Sequence, residues 1–119
     1  VARFFESGLA ARMFASEKVL REHGFLGELD AGQLEGYIEL PSKESRVVLQ
    51  GIADCIFFEE EGAVLVDYKT DRVREAAELA GRYGGQLALY RLLLEGRLEK
   101  PVAEGYLYSF WLGEAIRVF

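Results

Sequence analysis

The sequence predicts one mixed α/β (α+β) domain, and three observations predict it. Its 119 residues suit a single domain. Half of them are hydrophobic and 13% aromatic, enough for a packed core and too many for a disordered tail. The apolar periodicity runs helix, several strands, helix, strands along the chain, which describes a sheet with helices packed on it.

Taken in order, Val1, Phe5, Leu9 and Met13 recur every four residues, so residues 2–14 read as an amphipathic helix joined in mid-stride. Residues 18–25 read as extended, with turns marked by Gly24, Gly27 and the run Asp30-Ala31-Gly32. Residues 34–40 alternate and read as a strand stopped by Pro41. Residues 46–58 are rich in β-branched and aromatic side chains and read as a long strand. A hairpin loop at 59–62 leads into a second strand, 63–69. Two helices are expected at 73–80 and 83–95, parted near Gly81 and Gly84-Gly85. Strands at about 103–110 and 115–119 close the chain. No internal repeat or low-complexity segment interrupts this order.

The net charge of −6 argues against binding nucleic acid through bulk charge alone, so any such contact must be local or cation-mediated. The lone Cys55 forms no internal disulfide and no Cys-based zinc site, and a reducing, cytoplasmic setting fits it. No apolar run approaches the ~20 residues of a membrane span. No Walker motif is present.

The chemistry sits in the hairpin. If strands 51–58 and 63–69 pair antiparallel, Phe58 faces Ala63 and Asp54 lies opposite Asp67. Directly opposed side chains share a face with Cβ atoms roughly 4.5–5.5 Å apart. Lys69, two residues beyond Asp67, returns to that face. Opposed aspartates repel, so a partner is required. A hydrated Mg²⁺ suits them, because it takes a few carboxylate oxygens plus water and phosphate. Asp54, Asp67 and the main-chain carbonyl of Tyr68 form a plausible oxygen-rich set. The competing reading is a surface pair of little energetic consequence, against which stand apolar neighbours such as Ile52, Ile56, Leu65 and Val66.

The stretch QGIADCIFFEEEGAVLVDYKTD followed by YGGQLALY resembles the RecB-like branch of the PD-(D/E)XK nucleases. Within that branch it is similar to the C-terminal nuclease module of the A subunit of AddAB-type ATP-dependent helicase–nucleases. The G-x-x-D strand is Gly51-to-Asp54, the D-Y-K-T strand is Asp67-to-Thr70, and the Q-x-x-x-Y helix is Gln86-to-Tyr90. The likeness spans about 47–110, and Arg21, Glu22 and Phe25 look like the family's arginine–glutamate strand.

The resemblance implies a restriction-endonuclease-like mixed sheet flanked by helices. It implies Asp54 and Asp67 as metal ligands, Lys69 as the catalytic lysine, and Gln86 and Tyr90 as site-supporting or DNA-contacting residues. The cofactor would be Mg²⁺, with Mn²⁺ as substitute. The substrate would be single-stranded DNA unwound by an attached ATP-driven motor, in double-strand break repair and recombination. The partners would be helicase domains of the same polypeptide and a second helicase–nuclease subunit, with no membrane. Residues 1–119 would be a partial nuclease domain of that larger protein, with the family's histidine ligand before Val1. His23 is not assigned to metal. Local cations for the DNA backbone are Arg72, Arg74, Arg82 and Arg91, and Tyr83 and Tyr90 are candidates for stacking on bases. Thr70 and Asp71 are candidate caps of the helix that follows. The alternatives are a non-catalytic DNA-binding or structural domain of the same fold, and an unrelated binding module with fortuitous aspartates.

Overall fold

The computed structural model describes residues 2–34 and 46–119. The strand expected at 34–40 falls mostly outside them. The described strands are β1 (Val19–Asp30), β2 (Arg46–Glu59), β3 (Gly62–Lys69), β4 (Val102–Ser109) and β5 (Glu114–Arg117). The helices are α1 (Ala2–Phe5), α2 (Gly8–Ala15), the single turn α3 (Ala31–Leu34) and α4 (Ala76–Leu94). The strands form one mixed sheet in the order β1-β2-β3-β4-β5, antiparallel except for the parallel pair β3/β4. The parallel pair needs a crossover, and α4 supplies it.

Strand β3 is buried on both faces, as a central strand covered by two helical layers must be. Ala63 and Leu65 join Leu79, Leu87 and Leu94 of α4 in one core. Val64 and Val66 point the other way and meet Phe4, Leu9, Ala10 and Met13 from α1 and α2. The molecule is thus a sheet with a helical layer on each face.

Three elements depart from expectation. The helix expected over 2–14 breaks into two, because Ser7 caps α2: its Oγ accepts the Ala10 N–H at 3.1 Å. The break moves the buried stripe to Phe4, Leu9, Ala10 and Met13, and leaves Phe5 exposed. The two helices expected at 73–80 and 83–95 are one helix, α4. Its interior glycines each cost ~1 kcal/mol of helix propensity, and burial of four leucines on the sheet outweighs that. Gly24 and Gly27 are not turns but strand residues. A Cβ on Gly27 would stand 2.4 Å from Leu93 Cδ2, so glycine lets α4 lie against β1.

Candidate functional site

The hairpin register matches the expectation: Phe58 pairs with Ala63, and the ladder runs as far as Cys55–Val66. Where the backbone ladder stops, the Asp54 side chain takes over. Its Oδ2 accepts the Tyr68 N–H at 2.9 Å, which fixes one carboxylate oxygen beside the Asp67 strand. Asp67 follows Leu65 on the α4 side of β3 and is 7% exposed. Lys69 Nζ lies 3.0 Å from Asp67 Oδ2. The three ionisable groups therefore gather at the C-terminal end of β3, under α4.

Burial pushes the Asp67 carboxyl up, to about 6; the neighbouring Asp54 adds to the rise and Lys69 opposes it. Lys69 has a second partner, the face of Tyr83, with Nζ 3.9 Å from the ring centroid. The Tyr83 hydroxyl donates to Asp71 at 2.8 Å, and Arg82 holds the same carboxylate at 3.2 Å. Tyr83 is thus tied to Lys69 and Asp71. Its spacing, three residues before Gln86 on the same helix, was the available signal for it. Asp71 is no helix cap: Glu75 occupies the N-cap position of α4, without a side-chain cap bond.

Tyr90 comes from the next turns of α4. It meets Phe25 edge to face, with ring centroids 5.0 Å apart. A Cβ on Gly51 would stand 2.9 Å from Tyr90 Cε1 and 2.8 Å from Phe25 Cζ. Gly51 is therefore the gap into which Tyr90 fits, and this is a physical reason for glycine three residues before Asp54. Gln86 is exposed on α4 between Tyr83 and Tyr90. The Tyr68 side chain faces the opposite layer, against Phe4 and Phe110.

Beside Asp54 the alternation of β1 and β2 slips by one residue. Leu20 and Phe25 face the same core, as do Ala53 and Ile56. Glu22, at the register position opposite Asp54, adopts φ +48°, a left-handed conformation uncommon for a non-glycine residue. Sequence periodicity carried no sign of this kink.

Other expected residues are engaged elsewhere. Arg82 is paired with Asp71 and Glu78, and Arg91 lies 4.4 Å over the Phe119 ring. Arg72, exposed after β3, lies 5.0 Å over Trp111. Cys55 is buried, its Sγ 3.5 Å from Met13 Sδ, with burial pushing its thiol pKa up. His23 is half-buried in β1, paired with Ala53.

Among the described residues no group of three or more His, Cys, Asp and Glu side chains gathers to hold a metal. Two carboxylates with oxygen donors remain. That set fits a hard divalent cation that keeps several waters and shares a substrate phosphate, and it does not fit a structural zinc.

A family model described as the PD-(D/E)XK nuclease superfamily matches residues 2–112. The nucleases of that superfamily generally use divalent metal ions. The chain is 43% identical over 127 residues to an ATP-dependent helicase/nuclease subunit of Geobacillus kaustophilus, covering 99% of this chain and 10% of that protein. It is 40% identical to the protein of the same name from Clostridium perfringens, with the same coverages. The chain thus spans about a tenth of the length of these relatives. Among solved structures, SSO0001 superposes with a TM-score of 0.55 at 17% identity, over 92% of this chain and 45% of that one. That likeness supports the mixed sheet with flanking helices as a shared fold. No helix among the described residues is long and apolar enough to cross a membrane. The chain belongs to the PD-(D/E)XK nuclease superfamily.

Proposed function

We propose that this chain is the nuclease module of a longer ATP-dependent helicase–nuclease polypeptide. In this reading it hydrolyses phosphodiester bonds in single-stranded DNA that the motor unwinds, during break repair and recombination. The observation that carries the reading is the buried Asp67, 3.0 Å from Lys69 and raised in pKa by burial and by Asp54. Such a cluster is costly to maintain without a ligand.

Asp54, Asp67 and the Tyr68 main-chain carbonyl would hold a divalent cation, Mg²⁺ or Mn²⁺ in its place. When bound, the cation polarises a phosphate oxygen and lowers the pKa of water. Asp54 is oriented for this by the Tyr68 N–H, which occupies one of its oxygens and aims the other. Lys69, paired to Asp67 at 3.0 Å, is the residue whose ammonium would stabilise the charge that develops on the phosphate once a cation took over the carboxylate. Tyr83 then restrains Lys69 from the α4 side. Gln86 and Tyr90 support the site from α4, and Arg72 contacts the DNA backbone beside it.

The test is cleavage of labelled single-stranded DNA by the polypeptide that carries this chain. Asp67→Ala or Lys69→Ala should lower the rate by about 10²-fold or more while ATP hydrolysis persists. Unchanged cleavage would remove this domain from the chemistry and leave an architectural or DNA-binding role.

A further inference from the structure

The turn joining β4 to β5, Phe110 to Gly113, carries the chain's only tryptophan. Trp111 is 53% exposed, although aromatic residues supply much of both cores. Its position is fixed by several bonds. The Leu112 N–H donates to Ser109 Oγ at 3.0 Å, and the Gly113 N–H to the Ser109 carbonyl at 2.8 Å. Gly113 itself sits at φ +70°, where glycine is favoured. From α1, Arg3 donates to the Trp111 carbonyl at 3.2 Å.

The turn lies against the candidate site. Ser109 is the register partner of Lys69, and the Phe110 N–H donates to the Lys69 carbonyl at 3.0 Å. Trp111 is thus two residues beyond the strand partner of Lys69, outside the carboxyl ends of the parallel pair β3/β4. Two cations meet this residue: Arg3 on its main-chain carbonyl, and Arg72 with its guanidinium 5.0 Å from the ring centroid. The half-exposed indole thus carries a cation on its face in a chain of net charge −6.

We propose that Trp111 is a stacking platform for one base of a single-stranded nucleic acid whose backbone enters the site, with Arg72 meeting the adjacent phosphate. The proposal rests on the nuclease reading above and adds to it a contact that orients the strand. Indole faces accept any base, so the platform is tolerant of sequence. Its fixed turn means that little conformational entropy is lost on binding. An Arg already lying over the ring can offer its N–H edge to a phosphate without leaving the stack.

Because Trp111 is the only tryptophan, its emission reports on the platform directly. The chain is titrated at low ionic strength, with Ca²⁺ in place of Mg²⁺, against a fluorescently labelled oligothymidylate and a fully abasic strand of equal length. Affinities are read by anisotropy of the label, and stacking by Trp111 emission on unlabelled strands. Quenching is expected with the oligothymidylate and not with the abasic strand. Trp111→Ala should weaken oligothymidylate binding about tenfold or more and leave abasic binding unchanged, while Trp111→Phe restores most of the loss. Binding of both strands with unchanged Trp111 emission overturns the platform and leaves the nuclease reading intact. Failure of the chain to bind either strand overturns the platform and counts against the nuclease reading.

Discussion

Asp67 carries the electrostatic cost of the site, and that cost has a pH signature. Without a cation its folded pKa, about 6, lies above the ordinary 3.8. A group raised in this way contributes its stability fully below about pH 4, and that contribution is lost as the pH rises through 6. Urea unfolding in EDTA should therefore show the wild type losing stability relative to Asp67→Asn between about pH 4 and pH 7. The difference should be on the order of 2 kcal/mol; a flat difference would mean that Asp67 is not desolvated. Asp54 has a second job, holding the Tyr68 N–H. Asp54→Ala should cost about 1–3 kcal/mol in unfolding free energy by orphaning that donor, whereas Asp54→Asn should recover most of it. At this scale the sequence was legible where spacing alone decides. A hairpin of known turn length puts Asp54 across from Asp67, and alternation brings Lys69 back to their face. It offered Tyr83 as a surface for bases and not as a partner of Lys69, because nothing local tells a helix tyrosine that its ring will face an ammonium on a strand 14 residues earlier. It was equally silent on the left-handed Glu22, whose conformation answers to the kink shared by two strands.

At the scale of elements, glycines in this chain do opposite things. Gly51 and Gly27 make room for Tyr90 and Leu93 of α4, whereas a Cβ on Gly81 would meet nothing within 4 Å. Gly51→Ala should destabilise by about 1–3 kcal/mol through overpacking. Gly81→Ala should raise stability by roughly 0.5–1 kcal/mol, because it only restricts the unfolded chain and favours the helix. Thermal unfolding of the two variants separates these effects by sign. The same distinction explains why propensity divides α4 into two helices. Propensity counts Gly81, Gly84 and Gly85 as breakers, and only the tertiary burial of Leu79, Leu87, Leu93 and Leu94 shows why they are tolerated. The break at Ser7 is the converse case, where a local cap overrides an apolar stripe that continued through it.

For the whole molecule, the two helical layers have separate roles. Layer α4 closes over the acidic cluster, while α1 and α2 brace the opposite face. Arg12 ties α2 to β2 and β4, the two strands that flank β3, meeting Glu59 at 2.6 Å and Glu104 at 2.7 Å, with Tyr106 at 3.2 Å. Arg12→Ala should lower stability by about 1–2 kcal/mol, discounted because the side chain is one-third exposed. It should leave cation binding at the far face unchanged. The mixed sheet with flanking helices was legible from the alternation of periodicities, since a crossover helix between two apolar strands leaves few other arrangements. The sharing of work between faces was not, because the pairing of α2 with β2 and β4 depends on long-range contacts.

The account stands on a divalent cation shared by Asp54 and Asp67. Crystals of the chain soaked in millimolar Mn²⁺, with data collected for anomalous scattering, test that claim most directly. The account predicts a peak bonded to both carboxylates and absent from Asp67→Ala crystals. No peak between them, with Asp67 still paired to Lys69, would contradict it.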